Sequence, residues 1–206
     1  MKVIMINGSP RKNGNTYSAL CEIGKVFSDN NVDFEIIQVG NQVIAGCRAC
    51  GACRKIGKCI IDNDLVNETV KKVEEADALI IGSPVYYASI NGTLKSFLDR
   101  LFYSKKSFVG KLGAGVAIAR RAGTTATLDI INKYFGISNM PIVTSSYWNL
   151  AHGRLVGESE QDEEGMQTMR ILAENFVWLL KCIEAGREKG INLPEYEPKT
   201  LTNFIR

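Results

Sequence analysis

The stretch Val3-Ile4-Met5-Ile6-Asn7-Gly8-Ser9-Pro10-Arg11-Lys12-Asn13-Gly14-Asn15-Thr16 decides the fold. Val3 to Ile6 is an unbroken apolar run, which reads as a first strand buried on both faces. A loop of glycines, hydroxyls, amides and two cations follows, and a helix from about Thr16 to Phe27 opens where it ends. The apolar part of the N-terminus is too short for a signal peptide and runs straight into Gly8-Ser9-Pro10.

The rest of the chain repeats this alternation. Phe34–Val39 reads as a second strand, and a cysteine-rich segment follows it. Asp64 is placed to cap a helix running to about Glu75, with Leu65, Val66, Val70 and Val73 at helical spacing. Ala78–Gly82 is a third strand, Gly92 to Phe102 a helix, Gly113–Ala119 a fourth strand and Thr124–Phe135 a helix. Pro141–Thr144 is expected as the fifth strand. A long helix from about Glu163 to Glu184 closes the domain, with acids at its positive end. The implied architecture is α/β: a doubly wound five-stranded parallel sheet of order 2-1-3-4-5, with helices on both faces. Residues 1–190 form one domain. Residues 191–206 form a non-helical tail, strapped across the subunit or donated to a neighbour.

The chain has 206 residues, 45% hydrophobic and 23% charged, with a net charge of +3. Those values suit one ordinary globular domain. No long basic block points to nucleic acid, and no apolar run reaches the length of a membrane span. A cytoplasmic location is the expectation.

Ligands of open α/β sheets bind at the carboxyl ends of the strands. In the first such loop, backbone N–H groups, the Ser9 and Thr16 hydroxyls and Arg11 suit a phosphate. Neither the dinucleotide fingerprint G-x-G-x-x-G nor a P-loop is present, because Asn15 rather than lysine follows Gly14. The third strand ends in Gly82-Ser83-Pro84-Val85-Tyr86-Tyr87, a flat aromatic wall suited to a planar ring, with at least one tyrosine expected to pack on the next helix. The fourth ends in Ala119-Arg120-Arg121-Ala122-Gly123-Thr124. A ligand with one phosphate and a large heteroaromatic ring satisfies all three loops, and FMN is the simplest choice.

Four cysteines, Cys47, Cys50, Cys53 and Cys59, fall within thirteen residues as C-x2-C-x2-C-x5-C. Arg48, Arg54, Lys55 and Lys58 accompany them without an acid, which suits a site of net negative charge. The spacing is of the kind that ligates iron–sulfur clusters. Zinc, disulfides or free thiols are the alternatives, and a reducing compartment favours a metal or redox role over structural bridges. Cys21 and Cys182 lie in helical patterns and read as buried packing residues.

Gly8-Ser9-Pro10-Arg11, Gly14-Asn15-Thr16, Pro84-Val85-Tyr86-Tyr87 and Leu94-Lys95-Ser96-Phe97-Leu98-Asp99-Arg100 resemble the NAD(P)H-dependent FMN reductase family of flavodoxin-like proteins. With the four cysteines, the chain is most similar to the iron–sulfur flavoprotein branch, over roughly residues 1 to 185. The resemblance implies FMN, with Ser9, Arg11, Asn13, Asn15 and Thr16 at its phosphate. Pro84, Val85, Tyr86 and Tyr87 would lie near its ring, with Arg120, Ala122, Gly123 and Thr124 as the third loop. It implies a 4Fe-4S cluster on Cys47, Cys50, Cys53 and Cys59 that passes electrons to FMN, placed beside a neighbour's flavin. It further implies a homodimer or homotetramer, NAD(P)H or ferredoxin as electron donor, and a small-molecule acceptor. An electron carrier without its own substrate, a cluster-free FMN or quinone reductase and a zinc-stabilised binding module are the competing readings.

No protein side chain is expected to be catalytic beyond the flavin itself. His152, the single histidine, lies in an aromatic and polar stretch that lines the flavin or an interface. Asp99 and Arg100 are expected to form a solvated or interface ion pair.

Overall fold

A computed structural model describes residues 1–104, 107–202 and 204. Its elements are β1 (Lys2–Asn7), α1 (Asn15–Asp29), β2 (Asp33–Gln38), α2 (Cys53–Ile56), α3 (Val66–Glu75), β3 (Ala78–Pro84), α4 (Gly92–Ser104), β4 (Leu112–Ala119), α5 (Thr124–Ile137), β5 (Leu150–His152) and α6 (Glu163–Glu188). A 3-10 turn, Glu158–Gln161, leads into α6. The strands lie in the order β2-β1-β3-β4-β5 with every pairing parallel, as the alternation implies.

The period-two geometry of the central strands divides the core into two layers. Val3 and Met5 point to the layer under α1 and α6, where Leu20, Ile23, Phe27, Leu172 and Phe176 meet. Ile4 and Ile6 point to the layer under α3, α4 and α5, among Val70, Val73, Phe97, Leu98 and Phe135. All four strand residues are fully buried, and each such side chain contributes about 1.5–3 kcal/mol. On β4 the face toward α5 carries glycines. A Cβ on Gly113 would come within 2.5 Å of the Phe135 ring, so glycine there lets α5 approach.

The edge strand departs from expectation. Gly113 donates to the Pro141 carbonyl and accepts from Val143 N–H, so residues 141–143 touch only the start of β4. The ladder resumes where Ala117 donates to Asn149, and β5 itself is Leu150–His152. Between them Ser145 Oγ bonds the Tyr147 carbonyl and Asn149 Oδ1, closing a turn that carries Tyr147 and Trp148 outward. The expected fifth strand is therefore the first half of a split edge.

Cys21 is only partly buried and Cys182 is exposed, because the two helices turn those positions away from the core. The tail after Gly190 has no helix or strand among its described residues, and positions 203, 205 and 206 lie outside them. Its start packs on this chain, with Leu193 against Gly110. Among the described residues, no helix is long and apolar enough to cross a membrane.

Candidate functional site

The loop after β1 is built to hold a fixed shape. Asn7 Oδ1 accepts from Ser9 N–H at 3.1 Å, and Ser9 Oγ accepts from Arg11 N–H at 3.1 Å. Gln38 at the end of β2 donates to the Ser9 carbonyl at 2.7 Å and accepts from Asn7 Nδ2 at 2.6 Å. Gly40 lies so close that a Cβ there would sit 2.2 Å from the Gly8 carbonyl oxygen. The loop delivers the chain to α1, whose N-terminus has no side-chain cap and no acid in its first turn. A helix end left this way presents unpaired N–H groups and the positive end of its dipole, which is an anion site.

Of the expected phosphate residues, Ser9 and Thr16 are buried at this helix start, and Arg11 and Asn13 are exposed above it. Arg11 Nη1 donates to the Arg154 carbonyl at 3.3 Å, in a loop whose N–H groups at Arg154 and Leu155 bond Glu158. Those two bonds hold the Glu158 carboxyl below its usual range. Asn15 faces away from the loop mouth: its side-chain oxygen accepts from Ser159 N–H at 3.3 Å. Its side chain therefore fixes the turn before α6, and its backbone N–H remains at the helix start.

The second and third loops meet. Val85 N–H donates to the Ile118 carbonyl at 2.7 Å, and a Cβ on Gly123 would press on Val85 Cγ1 at 2.8 Å. Gly123 has φ +91°, a left-handed position that suits glycine. Tyr86 and Ser89 exchange backbone hydrogen bonds across a tight turn, and Tyr87 at its tip has φ +57°. Tyr86 is 55% exposed and Tyr87 wholly so, because the turn lifts both off the sheet edge. Such a held, exposed pair is suited to covering a ring that the protein alone does not bury. Thr124 is buried at the start of α5, whereas Arg120 and Ala122 are exposed. His152 Nε2 lies 3.2 Å from the Arg121 carbonyl, so the histidine braces this loop. The three loops therefore match an anionic group joined to a planar ring.

The cysteine segment packs beside α4. All four expected thiols, Cys47, Cys50, Cys53 and Cys59, line one small recess that is partly open to solvent. Arg48, Ile61, Arg100, Tyr103 and Ser104 are among the other residues of its wall. No disulfide joins the cysteines. They share the recess without converging: among the described residues, no three His, Cys, Asp or Glu side chains are grouped as a metal ligand set. The donor set, thiols with a cationic wall, nonetheless fits an iron–sulfur group by its chemistry.

Arg100 is the residue that the sequence reading missed. It is 1% exposed rather than solvated. Its guanidinium grips the Asp64 carboxylate with both terminal nitrogens and donates to the Ala45 carbonyl at 3.2 Å and the Ile61 carbonyl at 2.7 Å. Its Nε points at Cys59 Sγ, 3.3 Å away. Burial opposes its charge, but hydrogen bonding to Asp64 and Cys59 outweighs that and holds Arg100 above its ordinary value. A signal was present, since Arg100 follows Phe97 by three residues and so shares its inward face. Asp99 instead takes up the Tyr134 hydroxyl and Lys95, and no pair between Asp99 and Arg100 forms.

The sheet order, with its ligand loops at the carboxyl ends of the strands, defines a flavodoxin-like fold. Residues 1–154 match the NADPH-dependent FMN reductase family, and the chain belongs to that family. It is accordingly an FMN-dependent flavoprotein by kinship. An iron–sulfur flavoprotein of Methanocaldococcus jannaschii is 33% identical over 193 residues, covering 89% of this chain and 100% of that one. An iron–sulfur flavoprotein of Methanosarcina thermophila is 31% identical over 195 residues, covering 92% and 100%. Among solved structures, a flavodoxin from the domain Archaea superposes with a TM-score of 0.59 at 18% identity, covering 88% of this chain and 99% of the other.

Proposed function

We propose that this protein is an FMN-dependent oxidoreductase that moves electrons between NAD(P)H or ferredoxin and a small-molecule acceptor, using a 4Fe-4S cluster on Cys47, Cys50, Cys53 and Cys59. The observation that carries the cluster reading is that all four thiols line one recess with a cationic wall. The iron–sulfur flavoprotein names of relatives near 30% identity support it. When bound, FMN supplies hydride and single-electron chemistry, and the cluster supplies single-electron chemistry.

The side chains do the rest. Ser9, Thr16 and the first N–H groups of α1 bind the phosphate, Arg11 and Asn13 close over it, and Asn15 contributes its backbone. Pro84 to Tyr87 and Arg120 to Thr124 orient the ring and keep water from one side of it. The basic residues of the cysteine segment offset cluster charge.

The recess lies toward the far end of α4 from the aromatic turn. Gly92 and Arg100 are separated by eight residues, roughly 12 Å of helix rise. A homodimer or homotetramer would bring one copy's recess toward another copy's flavin, so assembly belongs to this proposal. A cluster-free NAD(P)H-dependent FMN or quinone reductase is the second reading, favoured by thiols that share a recess without converging.

Strictly anaerobic purification, with FMN, iron and zinc analysis and visible spectra, tests the proposal. Bleaching by NADPH or NADH, compared with reduced ferredoxin, then identifies the donor. A chain that takes up no FMN on reconstitution overturns the leading reading; FMN without iron selects the second.

A further inference from the structure

We propose that Arg100 is the positioning residue of the thiolate site, presetting Cys59 as its fixed ligand and donating a hydrogen bond to that sulfur when the site is loaded. This rests on the cluster reading above.

The guanidinium ties down both ends of the cysteine segment. Ala45, two residues before Cys47, and Ile61, two residues after Cys59, both give it their carbonyl oxygens. A single buried side chain thereby fixes the span of the loop that carries every ligand. Asp64, whose side chain is only 6% exposed, supplies the counter-charge beside it.

Cys59 is held at three atoms. Its N–H donates to Asn67 Oδ1 at 2.9 Å, its carbonyl accepts from Asn67 Nδ2 at 2.9 Å, and its sulfur faces Arg100 Nε at 3.3 Å. Cys47 and Cys50 are exposed by contrast. Cys59 would therefore be the preset ligand of the four.

The donor count separates this role from that of a plain ion pair. Asp64 and the two carbonyls engage the terminal nitrogens and leave Nε for the sulfur. Hydrogen bonds to cluster sulfurs stabilise the more negative, reduced state and so raise the reduction potential. Lysine would keep the charge but lose the planar fork that serves these acceptors together.

The test compares wild type, Arg100→Lys and Asn67→Ala as full chains purified anaerobically, with FMN content and thermal melting as fold controls. Iron and sulfide are counted, and the cluster potential is read by an electron paramagnetic resonance redox titration. Arg100→Lys is expected to load less iron and to show a more negative cluster potential. Asn67→Ala, which leaves the sulfur contact in place, is expected to lose iron without shifting the potential of what remains. Should Arg100→Lys retain no iron, Co²⁺ titration of the apo chains gives the readout through thiolate-to-cobalt absorbance. Affinity should fall about 10- to 100-fold in that variant, as for other residues that orient metal ligands. An Arg100→Lys chain equal to wild type in potential, or in Co²⁺ affinity where no iron is held, overturns the role and leaves the cluster reading intact. A wild type that holds FMN but neither iron nor Co²⁺ overturns the cluster reading, and this role with it.

Discussion

Arg100 Nε stands 3.3 Å from Cys59 Sγ across 41 positions of sequence, joining the most buried cation of α4 to the last cysteine of the segment. The same guanidinium is paired with Asp64 in the protein interior. A buried pair of this sort adds little net stability, but breaking it leaves an uncompensated charge. Arg100→Met should therefore destabilise the fold by about 3–5 kcal/mol, and adding Asp64→Leu should recover only the part due to the unpaired carboxylate, because the Ala45 and Ile61 carbonyls still lack their donor and Val66 N–H loses its acceptor. Denaturant midpoints of the two variants check it; equal destabilisation in both contradicts it.

Gly40 is the tightest contact around the phosphate loop, with Gly8 and Ser9 backbone atoms 2.2–2.4 Å from where its Cβ would lie. Backbone cannot swing aside as a side chain can. Gly40→Ala should cost about 1–3 kcal/mol through overpacking and should weaken FMN binding more than it alters the rest of the fold. Thermal melting with and without FMN separates the two effects.

Ser9 presents a buried hydroxyl at the start of the anion site. Removing it in Ser9→Ala should weaken FMN binding by about 1 kcal/mol, roughly fivefold in dissociation constant. Fluorescence quenching of FMN measures this directly.

Tyr87 holds φ +57° while fully exposed, so its ring contributes no packing to offset a left-handed backbone. Tyr87→Gly should leave the apo chain as stable or up to about 1 kcal/mol more stable, since glycine relieves that strain. The same variant should bind FMN more weakly if the ring covers the flavin. Opposite signs in apo stability and FMN affinity are the expected outcome.

Tyr134 is pushed up to about 12, first by burial and next by its hydrogen bond to Asp99. A raised phenol favours the protonated native state, so its contribution is complete below the unfolded value near 10. It is lost as pH rises from there through about 12. Tyr134→Phe should flatten the stability profile in that window, measured by denaturation at a series of alkaline pH values.

The sequence made some of this plain and hid the rest for physical reasons. β1, its loop and α1 were legible because an apolar run and glycines are local signals. β5 was not, because Pro141–Thr144 has the apolar character of a strand but pairs only with the start of β4 before the chain turns out. The gathering of four thiols into one recess follows from their spacing, whereas Arg100 looked like half of a pair with its neighbour Asp99. Its actual partners, Ala45, Ile61 and Asp64, are distant in sequence, and only tertiary packing brings them together. The exposure of Tyr86 and Tyr87 likewise depends on a turn closed by Ser89, which composition does not encode.

One chain is expected to hold both a flavin and an iron–sulfur group. Cofactor analysis of anaerobically purified protein, per mole of chain, tests it most directly. About one FMN and about four irons are expected, with broad visible absorbance beyond that of the flavin. Stoichiometric FMN with neither iron nor sulfide, persisting after anaerobic reconstitution, would contradict it.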